Sequence, residues 1–173
     1  MAHTRLARLE DAAEIAARLA ENRTFLAPWE PLRPEEYFTA QGQYRLLDQQ
    51  LTGYIDGHEV PLVVTDDADH IVGRINLNGI VRGALQSGTL GYWIAASHNG
   101  RGLATAAVGE IKRMAFGPLG LHRLQAETVP HNAASQRVLR RNGFRPYGLA
   151  PEYLRIDGRW QDHVLFQVLN PRG

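Results

Sequence analysis

Three groups of residues in this 173-residue chain have the types and spacing to do chemistry. The first is Ser97-His98-Asn99-Gly100-Arg101-Gly102-Leu103-Ala104-Thr105, lying between a strand-like and a helix-like stretch. Glycines at such a junction let the chain turn tightly and present successive backbone N–H groups. The opening N–H groups of the following helix lack internal partners, and its dipole favours an anion there. Phosphate or pyrophosphate is the natural guest. A nucleoside-triphosphate loop needs Lys-Ser/Thr after its last glycine, where this chain has Leu103-Ala104. The dinucleotide fingerprint needs glycine in place of Thr105 and an acid about twenty residues on. Glu127 stands near that distance, but inside a predicted strand. A glycine-rich connection that binds nothing is the remaining reading.

The second group is Asn132 and Ser135, one helical turn apart and able to share a face. Asparagine before Ala133-Ala134 also suits a helix cap, and Ser135 also reads as a surface serine. The third is Glu152, which precedes Tyr153-Leu154 at the mouth of a terminal hairpin and reads equally as a solvated glutamate beside Pro151. His98, His131 and His163 show neither HxxxH nor HxH spacing, and with no cysteine in the chain no metal site is expected. Arg137, Arg140, Arg141 and Arg145 could reach a bound phosphate or form a solvated helix face.

The elements that must position these groups follow from apolar periodicity and its breaks. Residues 9–26 read as a helix, with Asp11 suited to cap it and Ala12, Ile15, Ala16 and Leu19 at three- and four-residue spacing. Pro28 and Pro31 end it, and a second helix is predicted from Arg33-Pro34-Glu35-Glu36 onward, continued by Tyr37, Tyr44, Leu47 and Leu51. Strands are predicted over 60–65, 71–80 and 89–95, then a helix over 104–116 stopped by Gly117-Pro118. A strand over 121–129, a helix over 132–141 stopped by Asn142-Gly143, and a hairpin of 153–156 with 160–169 complete the order. Two helices, a meander, then alternating helix and strand predict an α/β (α+β) fold, a mixed sheet with helices on its faces.

The composition narrows the class. The chain has the length of one domain, 1–173, without repeat or linker, and enough to bury roughly two thirds of its unfolded surface. It has 44% hydrophobic residues, no apolar run of membrane-spanning length and no signal-peptide pattern, so a cytoplasmic protein away from membranes is expected. A net charge of +1 argues against a dedicated nucleic-acid binder. The absence of cysteine removes thiolate nucleophiles and redox pairs. Lys112 is the single lysine among nineteen Lys and Arg residues, which fits a bias in codon usage.

Taken together, the motifs resemble a known family. Asn99-Gly100-Arg101-Gly102-Leu103-Ala104 is similar to the acetyl-CoA pyrophosphate loop of the GNAT superfamily, Gln/Arg-x-x-Gly-x-Gly/Ala, with Asn99 departing from the usual first residue. Asn132-Ala133-Ala134-Ser135 followed by Gly143-Phe144 resembles its Asn-x-x-Ser…Gly-Phe segment. The stretch from Asn22 to Pro31 and the stretch from Glu152 to His163 resemble the RimJ/RimL-type ribosomal-protein N-terminal acetyltransferases, so the likeness runs from about Thr4 to Leu169.

The resemblance implies a mostly antiparallel sheet splayed between its fourth and fifth strands, with acetyl-CoA in the gap and no metal. The Asn99-to-Thr105 turn would hold the pyrophosphate, and the main chain of Trp93 and Ile94 the pantetheine arm. Asn132 would also touch that arm, and the Ser135 hydroxyl would protonate the departing thiolate. Glu152 would serve as general base, with Glu127 an alternative base and Tyr153 an alternative acid. Trp29 and Tyr37 fall in the region that covers the acceptor in this family, or pack in the core. The implied acceptor is a protein or peptide N-terminus; a small amine such as an antibiotic or amino acid is the enzymatic rival. A CoA-binding module without catalysis is the rival of another class. Among similar enzymes dimers are common. Without a cysteine to carry an acetyl group, direct transfer in a ternary complex is the simplest route. An α-amine, with a reference pKa of ~7.7–8.0, needs only a modest base.

Overall fold

Val60-Pro61-Leu62-Val63-Val64-Thr65 is apolar nearly throughout, the mark of a strand covered on both faces. In the computed structural model, which describes residues 3–171, this segment is strand β2 (Val60–Thr65), and every residue of it is buried. It pairs antiparallel with β1 (His3–Leu6) on one side and β3 (Ile71–Val81) on the other. The remaining strands are β4 (Ser87–Ile94), β5 (Arg123–Thr128), β6 (Arg145–Ile156) and β7 (Arg159–Leu169). All seven form one sheet in the order β1-β2-β3-β4-β5-β7-β6, in which only β4 and β5 run parallel.

Helices cover both faces. On one, α4 (Leu103–Phe116) and α5 (Ala133–Arg141) pack Val108, Ile111 and Leu139 against Ile75, Leu77, Leu90, Leu124 and Phe166. On the other, α1 (Ala12–Glu21), α2 (Arg23–Leu26) and α3 (Ala40–Ile55) pack Ile15, Leu19, Leu26 and Leu47 against Val63 and Ile71. Each such fully buried aliphatic side chain contributes about 1.5–3 kcal/mol relative to exposure.

The join between β4 and β5 shapes the molecule. The two strands pair at Ser87↔Arg123, Gly88↔Leu124 and Thr89↔Gln125, and there the pairing stops. Beyond it each keeps its other neighbour: β4 stays on β3 as far as Ile94↔Gly73, and β5 stays on β7 as far as Thr128↔Val164. The strands diverge, leaving facing edges along residues 90–94 and 126–128 unpaired with each other, as the resemblance implied.

Several local expectations change. The helix expected over 9–26 divides into a 3₁₀ turn, α1 and α2. Asp11 makes no cap bond to α1. Its carboxylate accepts from the Arg8 N–H at 2.8 Å and from both ends of the Arg5 fork at 2.8 and 2.9 Å. Burial alone would raise the Asp11 carboxyl; those bonds overcome it and leave it below its usual range. The second helix starts later than the sequence indicated. Glu35–Phe38 is a separate 3₁₀ turn, and α3 opens where the Thr39 hydroxyl accepts from the Gly42 N–H at 3.0 Å. Strand β1 has no counterpart in the sequence pattern, and β6 begins at Arg145 rather than near Tyr153. Pro146, Gly148 and Pro151 argue against a strand from sequence, but β6 is an edge strand with register shifts after Pro146 and Ala150, where prolines are tolerated.

Candidate active site

The divergence of β4 from β5 opens a cleft of about 1140 Å³. Its lower rim is the turn into α4. Asn22, at the junction of α1 and α2, fixes the approach to that turn. Its Oδ1 accepts from the Ala96 N–H at 2.8 Å, and its Nδ2 donates to Arg18 O at 2.8 Å. Gly100 and Gly102 then take left-handed conformations, φ 76° and 80°. A Cβ at either would meet nothing within 4 Å, so glycine is required by backbone conformation and not by lack of space. The Ala106 N–H makes a first-turn bond to Gly102 O at 3.0 Å. The N–H groups of Leu103, Ala104 and Thr105 precede it and stand at the positive end of α4. These three residues line the cleft with Asn99, Gly100 and Gly102, whereas Arg101 is exposed and outside the lining. The residues therefore suit a pyrophosphate held by main-chain donors. Asn142 locks the arrangement, its Nδ2 donating at 3.0 Å to both Thr105 O and Val138 O and so tying the end of α5 to the start of α4.

One wall carries a pair of hydroxyls. Asn132 caps α5, its Oδ1 accepting from the Ser135 N–H at 3.0 Å. The Ser135 hydroxyl lies 2.8 Å from that of Tyr92 on β4. Burial pushes the Tyr92 phenol up to about 12 against the opposing effect of the Ser135 bond, so Tyr92 stays a proton donor across neutral pH. The sequence alone does not mark Tyr92 as a site residue, because the pairing depends on α5 crossing β4. Trp93 and Ile94 both line the cleft; the Ile94 side chain joins the core under α4 and α5, and Trp93 packs on the core under α1 and α3.

The opposite face carries the carboxylates. Alternation along β5 puts Leu124 and Ala126 in the core beneath α4 and α5, which leaves Glu127 on the α3 side. Glu127 lines the cleft half-buried, and desolvation raises its carboxyl above the usual range. Glu30, in the segment before α3, is raised for the same reason against the opposing charge of Arg33. Glu152 sits elsewhere. It occupies the exposed irregularity of β6 at φ 46°, donates its N–H to Asp162 Oδ1 at 2.9 Å, and does not line the cleft. Tyr153 is likewise outside the lining and 44% exposed.

The remaining candidates divide. Arg137 and Arg141 line the cleft, while Arg140 lies over the Phe166 ring at 5.8 Å. The Trp29 ring stands 5.4 Å from that of His131, bridging the two walls. The Asp157 N–H donates to Glu30 O at 2.9 Å, which fastens the β6–β7 turn to the segment before α3. His163 is buried, its Nδ1 2.9 Å from Gln161 O, and the His98 Nδ1 is 2.9 Å from the Ser97 hydroxyl. Among the described residues no cluster of three or more His, Cys, Asp or Glu side chains could hold a metal ion. Arg74, Asn76 and Asn78 on β3, which are not among the sequence-predicted candidates, also line the cleft. Their signal was present: Arg74-Ile75-Asn76-Leu77-Asn78 alternates polar with apolar in a strand both of whose faces helices cover.

Residues 4–145 match the acetyltransferase (GNAT) domain family. The chain belongs to the GNAT acetyltransferases. It is 36% identical to the ribosomal protein uS5-alanine N-acetyltransferase of Escherichia coli, over 96% of this chain and 87% of that one. It is 35% identical to the probable N-acetyltransferase YjcK of Bacillus subtilis, over 93% and 90%. The structure of Mycobacterium smegmatis RimJ in complex with CoA-disulfide superposes with a TM-score of 0.94 at 30% identity, covering 99% of this chain and 83% of that one. The enzyme is an N-acetyltransferase, with acetyl-CoA as its acetyl donor and an amine as acceptor.

Proposed function

We propose that this acetyltransferase modifies the N-terminal α-amine of a protein or peptide by direct transfer, with Glu127 as base and the Tyr92–Ser135 pair as acid. The observation that carries the reading is the distribution of these groups over the two faces of the splayed sheet. Glu127 lies on the α3 face, and Tyr92 packs toward α5 on the other. An amine entering from the α3 side would meet a carboxylate, and a thiol leaving toward α5 would meet hydroxyl donors.

Acetyl-CoA brings the acetyl group as a thioester. Glu127 takes a proton from the ammonium, directly or through water, so that the nitrogen lone pair can form the new C–N bond. As the C–S bond breaks, the acylated nitrogen loses its second proton to water, and Ser135 gives its hydroxyl proton to the sulfur and is resupplied by Tyr92, 2.8 Å away, which regains a proton from solvent. The open N–H groups of Leu103, Ala104 and Thr105 would hold the pyrophosphate, with Arg137 and Arg141 beside it as counter-charges. Asn132 keeps its Nδ2 available for the pantetheine arm, since capping uses Oδ1. A single half-buried carboxylate is a modest base, which suits an α-amine better than a lysine amine at ~10.4. The relatives' names point the same way. A ribosomal-protein acceptor would place the reaction in the cytoplasm.

The test is release of free thiol from acetyl-CoA with a panel of acceptors. Peptides beginning with Ala or Ser should release thiol, and free small amines much less. Release with small amines alone would overturn the choice of acceptor. Tight acetyl-CoA binding with no thiol release from any acceptor would favour a binding module.

A further inference from the structure

Arg74 sits in the middle of β3, between Val63 of β2 and Trp93 of β4, with 5% of its surface exposed. A guanidinium offers five N–H donors. Here Nη2 donates to Gln50 Oε1 at 2.8 Å and more weakly to Asn76 Oδ1 at 3.3 Å, while the buried Nε has no partner. Among the described residues no ion pair includes Arg74. Both of its hydrogen-bond partners are neutral amides, so no ion pair balances its charge. The carboxylates whose fields reach it are Glu59 and Asp11; neither forms an ion pair with it, and Asp11 is taken by Arg5. Desolvation pulls the Arg74 guanidinium below its ordinary value against the fields of Tyr37, Glu59 and Asp11.

Burying a cation without a counter-ion is costly, and the fold draws no ion pair from it in return. Arg74, Gln50 and Asn76 line the cleft on the same sheet face as Glu127, the side from which the amine would arrive. An arriving carboxylate that displaces the weak 3.3 Å bond to Asn76 would accept from the guanidinium and balance its charge away from bulk water. We infer that Arg74 is a specificity-determining residue of the acceptor site, selecting amines that carry a carboxylate within reach of the reacting nitrogen. The inference rests on the acetyl-transfer reading above and narrows its acceptor. Two sources share this chemistry: an acidic side chain just after a peptide's first residue, or the α-carboxylate of a free amino acid.

The experiment compares acid and amide forms of otherwise identical acceptors by thiol release. One arm uses C-terminally amidated peptides beginning with Ala and carrying Asp or Glu at the second or third position, against their Asn or Gln counterparts. The other uses alanine against alaninamide. Wild type should favour the acid form in one arm by about ten- to a hundredfold in kcat/KM, the usual range for a charge-assisted bond. Arg74→Gln should bring that ratio close to one, and Arg74→Lys should recover only part of it, because the planar fork is lost. Equal turnover of acid and amide in both arms by wild type, or an acid preference that survives Arg74→Gln, would overturn the inference and leave acetyl transfer standing. No thiol release from any acceptor would remove the transfer reading itself, and this inference with it. Arg74→Gln should unfold at or above the wild-type temperature, since it removes an unbalanced charge. Unfolding well below it would mark Arg74 as a structural cation and overturn the inference as well.

Discussion

Glu127 and Glu152 share a side chain but not a setting, and burial separates their roles. Glu127 is half-buried in the cleft with its carboxyl raised by desolvation, while Glu152 is exposed on a strand irregularity outside it. Glu127→Gln should lower kcat/KM by about 10²- to 10⁴-fold, the range of a positioned base. Glu152→Gln should have the smaller effect, and the reverse order in steady-state kinetics would return the role to Glu152. The wild-type rate should rise with pH through an ionisation above the ordinary carboxylate range, and Glu127→Gln should lack that limb. Stability should move oppositely. A carboxyl with a raised folded-state pKa binds more protons folded than unfolded, so its contribution falls as pH rises through that pKa. Thermal unfolding at neutral pH should therefore show Glu127→Gln equal to or more stable than wild type. Ser135→Ala and Tyr92→Phe should each reduce kcat, and the double variant should lose less than the product of the two, because the hydroxyls act as one pair.

At the scale of elements, the turn into α4 was legible because its requirements are local. Gly100 and Gly102 announce left-handed backbone, and the helix that follows announces unpaired N–H groups. Why Gly102 matters is visible only in three dimensions. Space around it is open, so the cost of substitution comes from its φ of 80° and not from crowding. Gly102→Ala and Gly102→Val should weaken CoA binding to similar degrees, about tenfold for a cost near 1–2 kcal/mol, as read by calorimetry. A far larger loss for valine would mean that bulk decides. Elements that depend on distant partners were not legible. Four-residue β1 carries almost no periodicity and exists through β2, and β6 keeps its course through two prolines because β7 supplies its ladder. Tyr92 and Ser135 meet only because α5 crosses β4, and Arg74 reads as a surface arginine until both faces of β3 are known to be covered.

Across the whole molecule, the halves on either side of the splay share three paired positions of β4 and β5, the core packed under α4 and α5, the Tyr92–Ser135 and Asn142–Thr105 bonds, the Trp29–His131 contact and the Asp157–Glu30 bond. A ligand bound along both walls adds to that join. At a hundredfold its Kd, CoA should stabilise the fold by about 2.7 kcal/mol, or roughly 5–10 °C in melting temperature for a domain of this length. A shift near zero at saturating CoA would argue against a ligand that spans the two walls.

The single lysine gives this architecture an unusual chemical surface. Lys112 Nζ donates to Asn142 O at 2.7 Å, over the end of α5 where carbonyls lack helical partners. A protein that works beside a reactive thioester thus exposes no lysine side chain to it other than this one, already engaged. Stray acylation would have to break the clasp between α4 and α5 first. The rate at which an amine-reactive label reaches Lys112 therefore reports how often the floor beneath the pyrophosphate turn loosens.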